Sequence, residues 1–215
     1  MKLTNKTLQV LKNFASINNG LMVKEGSKQK TVSLTCDILA EADLDQEFPV
    51  EFAIYDLNGF LSLLSTFDEN GDADIDFKKT HLIISSGKRK LKYFYASPEV
   101  IFSPPDTVEL NSCNENFTLA LEDLKIIQKM SNFGMSMLNI KSDGTSIKIR
   151  ATNPENPAST EFDVDIDDTL PVCDASFDIS LMKVIQDEYK VGINENSLHM
   201  KNKSDDLNYW IALKD

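Results

Sequence analysis

The chain predicts an α+β fold of two similar domains, each with two helices packed on antiparallel sheet, and three sequence features carry that reading. The first is a strand that turns into an amphipathic helix at 52–67, FAIYDLNGFLSLLSTF. Phe52 and Ile54 have strand spacing, Asp56 can cap the helix, and Leu57, Phe60, Leu61 and Leu64 recur at helical spacing. The second is a weaker echo at 177–189, FDISLMKVIQDEY, with Phe177 and Ile179 as strand and Leu181, Val184 and Ile185 as helix stripe. The third is an earlier helix in each half. Leu8, Val10, Leu11, Phe14 and Ile17 match Leu124, Ile126, Ile127, Met130 and Phe133 at an offset of 116. Self-similarity of this kind marks duplication.

Taken in order, residues 4–17 read as a helix that Thr4 can cap, with Lys6, Gln9, Lys12, Asn13 and Ser16 opposite its apolar face. Short strands follow at about 21–26, 30–36, 38–42 and 50–54, and then the helix at 56–66. After a turn at 67–76, THLIISS and KLKYFYA form a hairpin around Gly87. The segment 96–108 carries Pro98, Pro104 and Pro105, which stiffen an extended path, and reads as a connector. The second half repeats the order. A helix at 119–133 precedes a hairpin with an Asp143-Gly144 turn, a strand at 160–167 and the second strand-helix unit, and three strands close the chain. The expected division is an N-terminal domain at 1–97, a connector at 98–110 and a C-terminal domain at 111–215.

Composition excludes several classes. No apolar run reaches membrane-spanning length, and the N-terminus has no apolar block with a small-residue cleavage site, so neither a membrane span nor a signal peptide is expected. Cys36, Cys113 and Cys173 are odd in number and far apart, which fits free thiols in a reducing cytoplasm. The net charge of −12 argues against nucleic-acid binding by the whole surface. No CxxC, HExxH or GxxxxGK[ST] pattern is present, so no zinc site, no ATP hydrolysis and no cofactor are expected. Asp68, Asn70 and Asp72 imitate the start of a calcium loop, but Ala73 and Lys79 stand where Gly and Glu are required.

MKLTNKTLQVLKNFASINNG at the start, together with FAIYDLNGFLSLLS, resembles the two-domain sliding clamps of large tailed phages, the processivity factors of their DNA polymerases. The match is strong over about residues 1–66 and weaker beyond, where the element order and Glu122-Asp123-Leu124 carry it. The resemblance implies a DNA-clamp fold and a homotrimeric ring of six similar domains, with helices lining a pore and sheets outside. It implies double-stranded DNA encircled without sequence reading, an ATP-driven clamp loader that opens the ring, and the replicative DNA polymerase as partner. Family members can also recruit transcription factors. It implies no enzymatic activity, and a location in the cytoplasm of the infected bacterial host.

The residues fit that picture. Lys2, Lys6, Lys12, Lys125, Lys129 and Lys183 fall on the polar faces of the expected helices and are the candidate DNA-facing groups. Diffuse attraction of lysines to phosphates holds a duplex without fixing its register. The helix at 56–66 has no basic residue, so the lining would be uneven. A second contrast lies in the strands. Lys88, Arg89, Lys90 and Lys92 share one strand, and Glu161, Asp163, Asp165 and Asp167 line one face of another. In ring clamps an edge of the first domain pairs with an edge of the second domain of the next subunit, so these strands are the candidate subunit interface; the alternative is two separate edges guarded by charge. Val108, Leu110, Tyr209, Trp210 and Leu213 are the candidate pocket for a hydrophobic partner peptide, with Trp210, the one tryptophan, as anchor. Two other functions compete with this one: a duplicated α+β protein-interaction module without DNA function, and a hydrolase using the carboxylates at 160–168.

Overall fold

A computed structural model describes residues 1–67, 73–104, 116–156, 158–204 and 206–214. The chain divides into two compact units, Met1–Leu34 with Ala40–Asp106, and Thr35–Leu39 with Thr107–Asp215.

In the first unit α1 (Asn5–Ile17) begins where the Thr4 side chain accepts a hydrogen bond from the Thr7 N–H, and it buries Val10, Leu11, Phe14 and Ile17. Four strands follow: β1 (Leu21–Val23), β2 (Gly26–Val32), β3 (Ile38–Phe48) and β4 (Phe52–Ile54). β1 pairs antiparallel with β4, and β2 lies beside β3. Next comes α2 (Leu57–Phe67), which buries Leu57, Phe60, Leu61 and Leu64. Asp56 caps α2, its carboxylate accepting from the Gly59 N–H at 2.8 Å. A Cβ on residue 59 would come within 2.4 Å of that carboxylate, so a side chain there would make the Asp56 carboxylate shift. The unit ends in an antiparallel sheet of β5 (Asp74–Phe77), β6 (His81–Ser86) and β7 (Arg89–Phe94), in that order. β6 alternates, with Leu82 and Ile84 fully buried, and Gly87 at φ 57° supplies the left-handed turn into β7.

The second unit opens with β8 (Phe117–Leu119) and α3 (Leu121–Met130), which continues through a 3-10 turn at Ser131–Phe133. Then come β9 (Met137–Ser142), β10 (Ile147–Thr152), β11 (Phe162–Ile166) and β12 (Cys173–Asp178). These pair antiparallel in the order β11-β10-β9-β12. β13 (Tyr189–Ile193), β14 (Ser197–Asn202) and β15 (Leu207–Ala212) close the unit, and β15, β14, β13 and β8 lie side by side. Phe117, Leu138, Ile149, Phe177, Leu198 and Met200, with Ile127 of α3, surround a small apolar void in its core.

The helix expected after Phe177 does not form. Ile179–Leu181 make a single 3-10 turn, capped by Asp178 accepting from Ser180, and Met182–Glu188 are not helical. Here α3 and the last strands satisfy the backbone instead. Gln128 Nε2 donates to the Met182 and Val184 carbonyls, the Tyr189 hydroxyl donates to the Ile185 carbonyl, and the Ile185 N–H donates to the Tyr209 hydroxyl. Those three carbonyls and that N–H thus have partners without an i to i−4 ladder. Ile179 and Met182 are buried three residues apart, but Val184 is buried as well and would fall on the far side of a helix. The four expected helices are thus three among the described residues.

Candidate functional site

α1 is fixed at its start by one cluster. The Thr4 and Thr7 hydroxyls donate to Asp45 at 2.8 and 3.0 Å, the Thr4 N–H donates to Gln46 Oε1, and Gln46 Nε2 donates to the Lys2 carbonyl. Hydrogen bonds from Thr4, then Thr7, hold the Asp45 carboxyl below its usual pKa, with the Lys6 charge adding to them. The cluster sets the rotation of the helix. Lys6 and Lys12 are therefore exposed with Asn5, Gln9 and Ser16 on the side away from Phe14, and Lys2 is exposed just before them.

α2 is tied to the end of α1 by Asn19. Its carbonyl accepts from the Leu57 N–H, and its side chain bonds Asn58 and Asp56. The Gly59 N–H, then Asn19, keep the Asp56 carboxyl below its ordinary range. The exposed face of α2 carries Asn58, Ser62, Ser65 and Thr66 and no cation, so the first unit presents a basic helix beside a neutral one.

In the second unit Lys125 and Lys129 lie one turn apart on α3. Lys129 is exposed, and Lys125 is 3.7 Å from Glu122. Lys183 is exposed but sits after the 3-10 turn instead of on a helix, because the helix expected to carry it is absent.

The two charged strands are both edges. β7 is the last strand of the β5-β6-β7 sheet and β11 the first of the β11-β10-β9-β12 sheet. On β7 and its turn Lys88, Arg89, Lys90 and Lys92 are exposed, with the Lys92 ammonium 4.7 Å from the centre of the Phe94 ring. Among the described residues no carboxylate pairs with these four cations. The acidic strand differs. Arg150 of β10 grips Asp163 with two hydrogen bonds of 2.7 and 2.8 Å and lies 3.4 Å from Glu161. Lys148 lies 3.5 Å from Asp165. The Arg150 hydrogen bonds hold the Asp163 carboxyl below its ordinary range. Asp167 is exposed just past the strand end.

The expected peptide pocket is not assembled as a set. Val108 and Leu110 lie outside the described residues. Tyr209 is completely buried and belongs to the core, where its ring packs edge-on to Tyr189, so it offers no surface to a peptide. Trp210 and Leu213 are half-buried. Trp210 stacks on His199 at 4.7 Å, and its indole N–H is buried with no partner among the described residues. A patch that the sequence did not point to lies in the first unit. Asn18 Nδ2 donates to the carbonyls of both Val32 and Phe102, which brings those two segments together. Leu34, Val100 and Phe102 are then exposed, while Ile101 between the last two is buried. The available signal was that alternation: in Val100-Ile101-Phe102 one inward residue leaves two apolar neighbours outside.

Among the described residues no group of three or more His, Cys, Asp or Glu side chains is arranged to hold a metal ion, and no helix is long and apolar enough to cross a membrane.

Residues 2–103 match the family model of the DNA polymerase processivity factor. The sliding clamp of Vibrio phage KVP40 is 33% identical over 204 residues, which span 90% of either chain. Among solved structures, proliferating cellular nuclear antigen from Entamoeba histolytica superimposes with a TM-score of 0.72 at 14% identity, over 98% of this chain and 95% of that one. The A. fulgidus PCNA bound to the C-terminal region of FEN-1 gives 0.70 at 14% identity, over 97% and 94%. At that identity the structures speak for the fold alone.

Proposed function

We propose that this chain, which belongs to the phage sliding-clamp family of DNA polymerase processivity factors, works by closing with two further copies into a ring around duplex DNA. The observation that carries the ring is the pair of open edges: β7, basic, and β11, acidic, each end their own sheet with an unpaired side. An edge strand is a template for another strand. Antiparallel addition of β11 from the next copy to β7 would complete both ladders and match their charges. Three copies leave no edge of this kind open.

Inside the ring, Lys2, Lys6, Lys12, Lys125, Lys129 and Lys183 attract phosphates while the acidic remainder of the chain repels them. The exposed face of α2 offers hydroxyls, an amide and Leu63 but no cation, which suits sliding because no side chain there holds a phosphate. Clamping is then topological: the polymerase is kept near its template at high effective concentration. A closed ring needs an opening step, which assigns a clamp loader as partner in the host cytoplasm. The polymerase, and in some settings transcription factors, would reach the clamp through short hydrophobic peptides. Binding through a terminal region of the partner has a parallel in the A. fulgidus protein, which is bound by the C-terminal region of FEN-1. Leu34, Val100 and Phe102 in the first unit, and Trp210 and Leu213 in the second, are the candidate contacts.

Two measurements test this. Native mass should give three times 24.1 kDa, and loaded protein should stay on circular DNA and run off linear DNA. Loss from both alike would refute topological binding. Exchanging Lys125 and Lys129 for glutamate should weaken DNA retention and lower the salt slope by roughly one per phosphate contact removed. An unchanged slope would remove α3 from the DNA face.

A further inference from the structure

We infer that Asp45 keeps the start of α1 from gripping DNA. Its carboxylate stands where a backbone phosphate would sit at the helix N-terminus, so that the duplex meets only flexible lysines there. The inference rests on the ring proposed above, with α1 on its DNA side.

The start of a helix attracts anions, because its first N–H groups have no partner inside the helix and its dipole is positive at that end. A phosphate held there is fixed in direction as well as in charge, which opposes sliding. α1 has the parts of such a cradle. Lys2 and Lys6 are exposed beside its first turn, and Thr4 and Thr7 supply two hydroxyls. Those donors are spent within the chain. The Thr4 and Thr7 hydroxyls both donate to one oxygen of Asp45, at 2.8 and 3.0 Å. The Thr7 N–H donates to the Thr4 hydroxyl oxygen, and the Thr4 N–H donates to Gln46.

Asp45 is not needed to cap the helix. The Thr4 side chain already accepts from the Thr7 N–H, which is a full N-cap. What Asp45 adds is a negative charge and two occupied hydroxyls. A carboxylate that takes charge-assisted hydrogen bonds from these donors replaces the phosphate that would otherwise take them. The acid is also imported. α1 has no acidic residue in its own first turn, and Asp45 reaches it from β3, 41 residues from Thr4 and 38 from Thr7. The other described helices carry theirs locally: Asp56 caps α2, and Glu122 and Asp123 lie in the first turn of α3. Each described helix therefore has a carboxylate at its N-terminal end. Attraction is left to Lys2, Lys6, Lys12, Lys125 and Lys129, whose point charges on long stems impose no register.

The test follows single rings of the full chain, loaded on a long duplex blocked at both ends, over a range of salt concentrations. It compares the parent with Asp45→Asn, Asp45→Glu, Asp43→Asn and Lys6→Gln. Asparagine keeps an acceptor for the hydroxyls at an exposed position, so circular dichroism of Asp45→Asn should match the parent. Its diffusion along DNA should slow by roughly fivefold or more, from one further charge-assisted contact per copy. The salt dependence should steepen by up to about 0.9 per copy. Asp45→Glu keeps the charge and should slide like the parent. Asp43 is exposed two residues earlier on the same strand, so Asp43→Asn removes an equal charge away from the helix start and should change diffusion by less than about twofold. Lys6→Gln should speed sliding and flatten the salt dependence. Equal slowing by Asp45→Asn and Asp43→Asn would assign the effect to net charge and overturn the inference. If Asp45→Asn slides like the parent while Lys6→Gln changes the salt dependence, Asp45 is a structural strut alone, the inference is refuted, and α1 keeps its DNA face. If neither Asp45→Asn nor Lys6→Gln alters sliding, the DNA face of α1 fails with it.

Discussion

β7 and β11 end their sheets in the same way and expose charge in the same way, but they differ in what stands behind the charge. The cations of β7 have no carboxylate partner among the described residues, and a neutral helix lies beneath them. The acids of β11 are answered inside their own sheet by Lys148 and Arg150. An edge with uncompensated charge attracts a partner from a distance. An edge with its charge partly paired is set in geometry before the partner arrives. The contrast assigns attraction chiefly to β7 and preorganisation chiefly to β11.

The change that should disturb this contrast most acts on the support of β7. Phe60 is 3% exposed and packs against Tyr93, so Phe60→Ala opens a cavity between α2 and the edge strand. Its expected cost is about 3–4 kcal/mol in urea unfolding, with weaker assembly as a consequence. A loss below about 1 kcal/mol would mean that α2 does not shape the edge, since a buried phenylalanine removed from a rigid site costs more than that.

The two edges were also unequally legible in the sequence. Thr4, Asp56 and the stripe Leu57, Phe60, Leu61 and Leu64 placed α1 and α2 because capping and periodicity are local signals. The charged runs on β7 and β11 were visible as alternation or clustering, and the topology then made both strands edges. Two features were hidden because they depend on residues distant in the chain. The segment after Phe177 has a plausible helical stripe, but Gln128, Tyr189 and Tyr209 take its backbone groups. Arg150 gave no sign of its role, since only the β10–β11 register sets it opposite Asp163. Tyr209 failed as a pocket residue for a similar reason: strand alternation turns it inward and its neighbour Trp210 outward, and the sequence does not say which face is the core.

Neutralising single acids on β11 separates attraction from preorganisation. Asp163→Asn and Asp165→Asn remove the same charge, so both should slow low-salt assembly with Lys92 intact by a similar factor, about threefold. They should part in stability. Asp163→Asn breaks the two-bond grip of Arg150 and should cost about 1 kcal/mol or less, because the pair is partly exposed. Asp165→Asn loses only the 3.5 Å approach of Lys148 and should leave the thermal midpoint unchanged. Equal stabilities with unequal association rates would reverse the assignment of the two acids.

The smallest effect should be the pH dependence of that grip. Arg150 holds the Asp163 carboxyl below its ordinary pKa in the folded chain. A group depressed by folding adds stability that is present above its unfolded pKa and is lost as pH falls through the lower folded value. Arg150→Met removes the cation and keeps most of the stem, so its thermal midpoint should lie below the parent's at neutral pH. That gap should close on acidification, over the range in which the carboxyl takes up its proton. A gap of the same size in acid would show that the guanidinium acts through packing of its stem on β11, leaving the ion pair without a part in setting the edge.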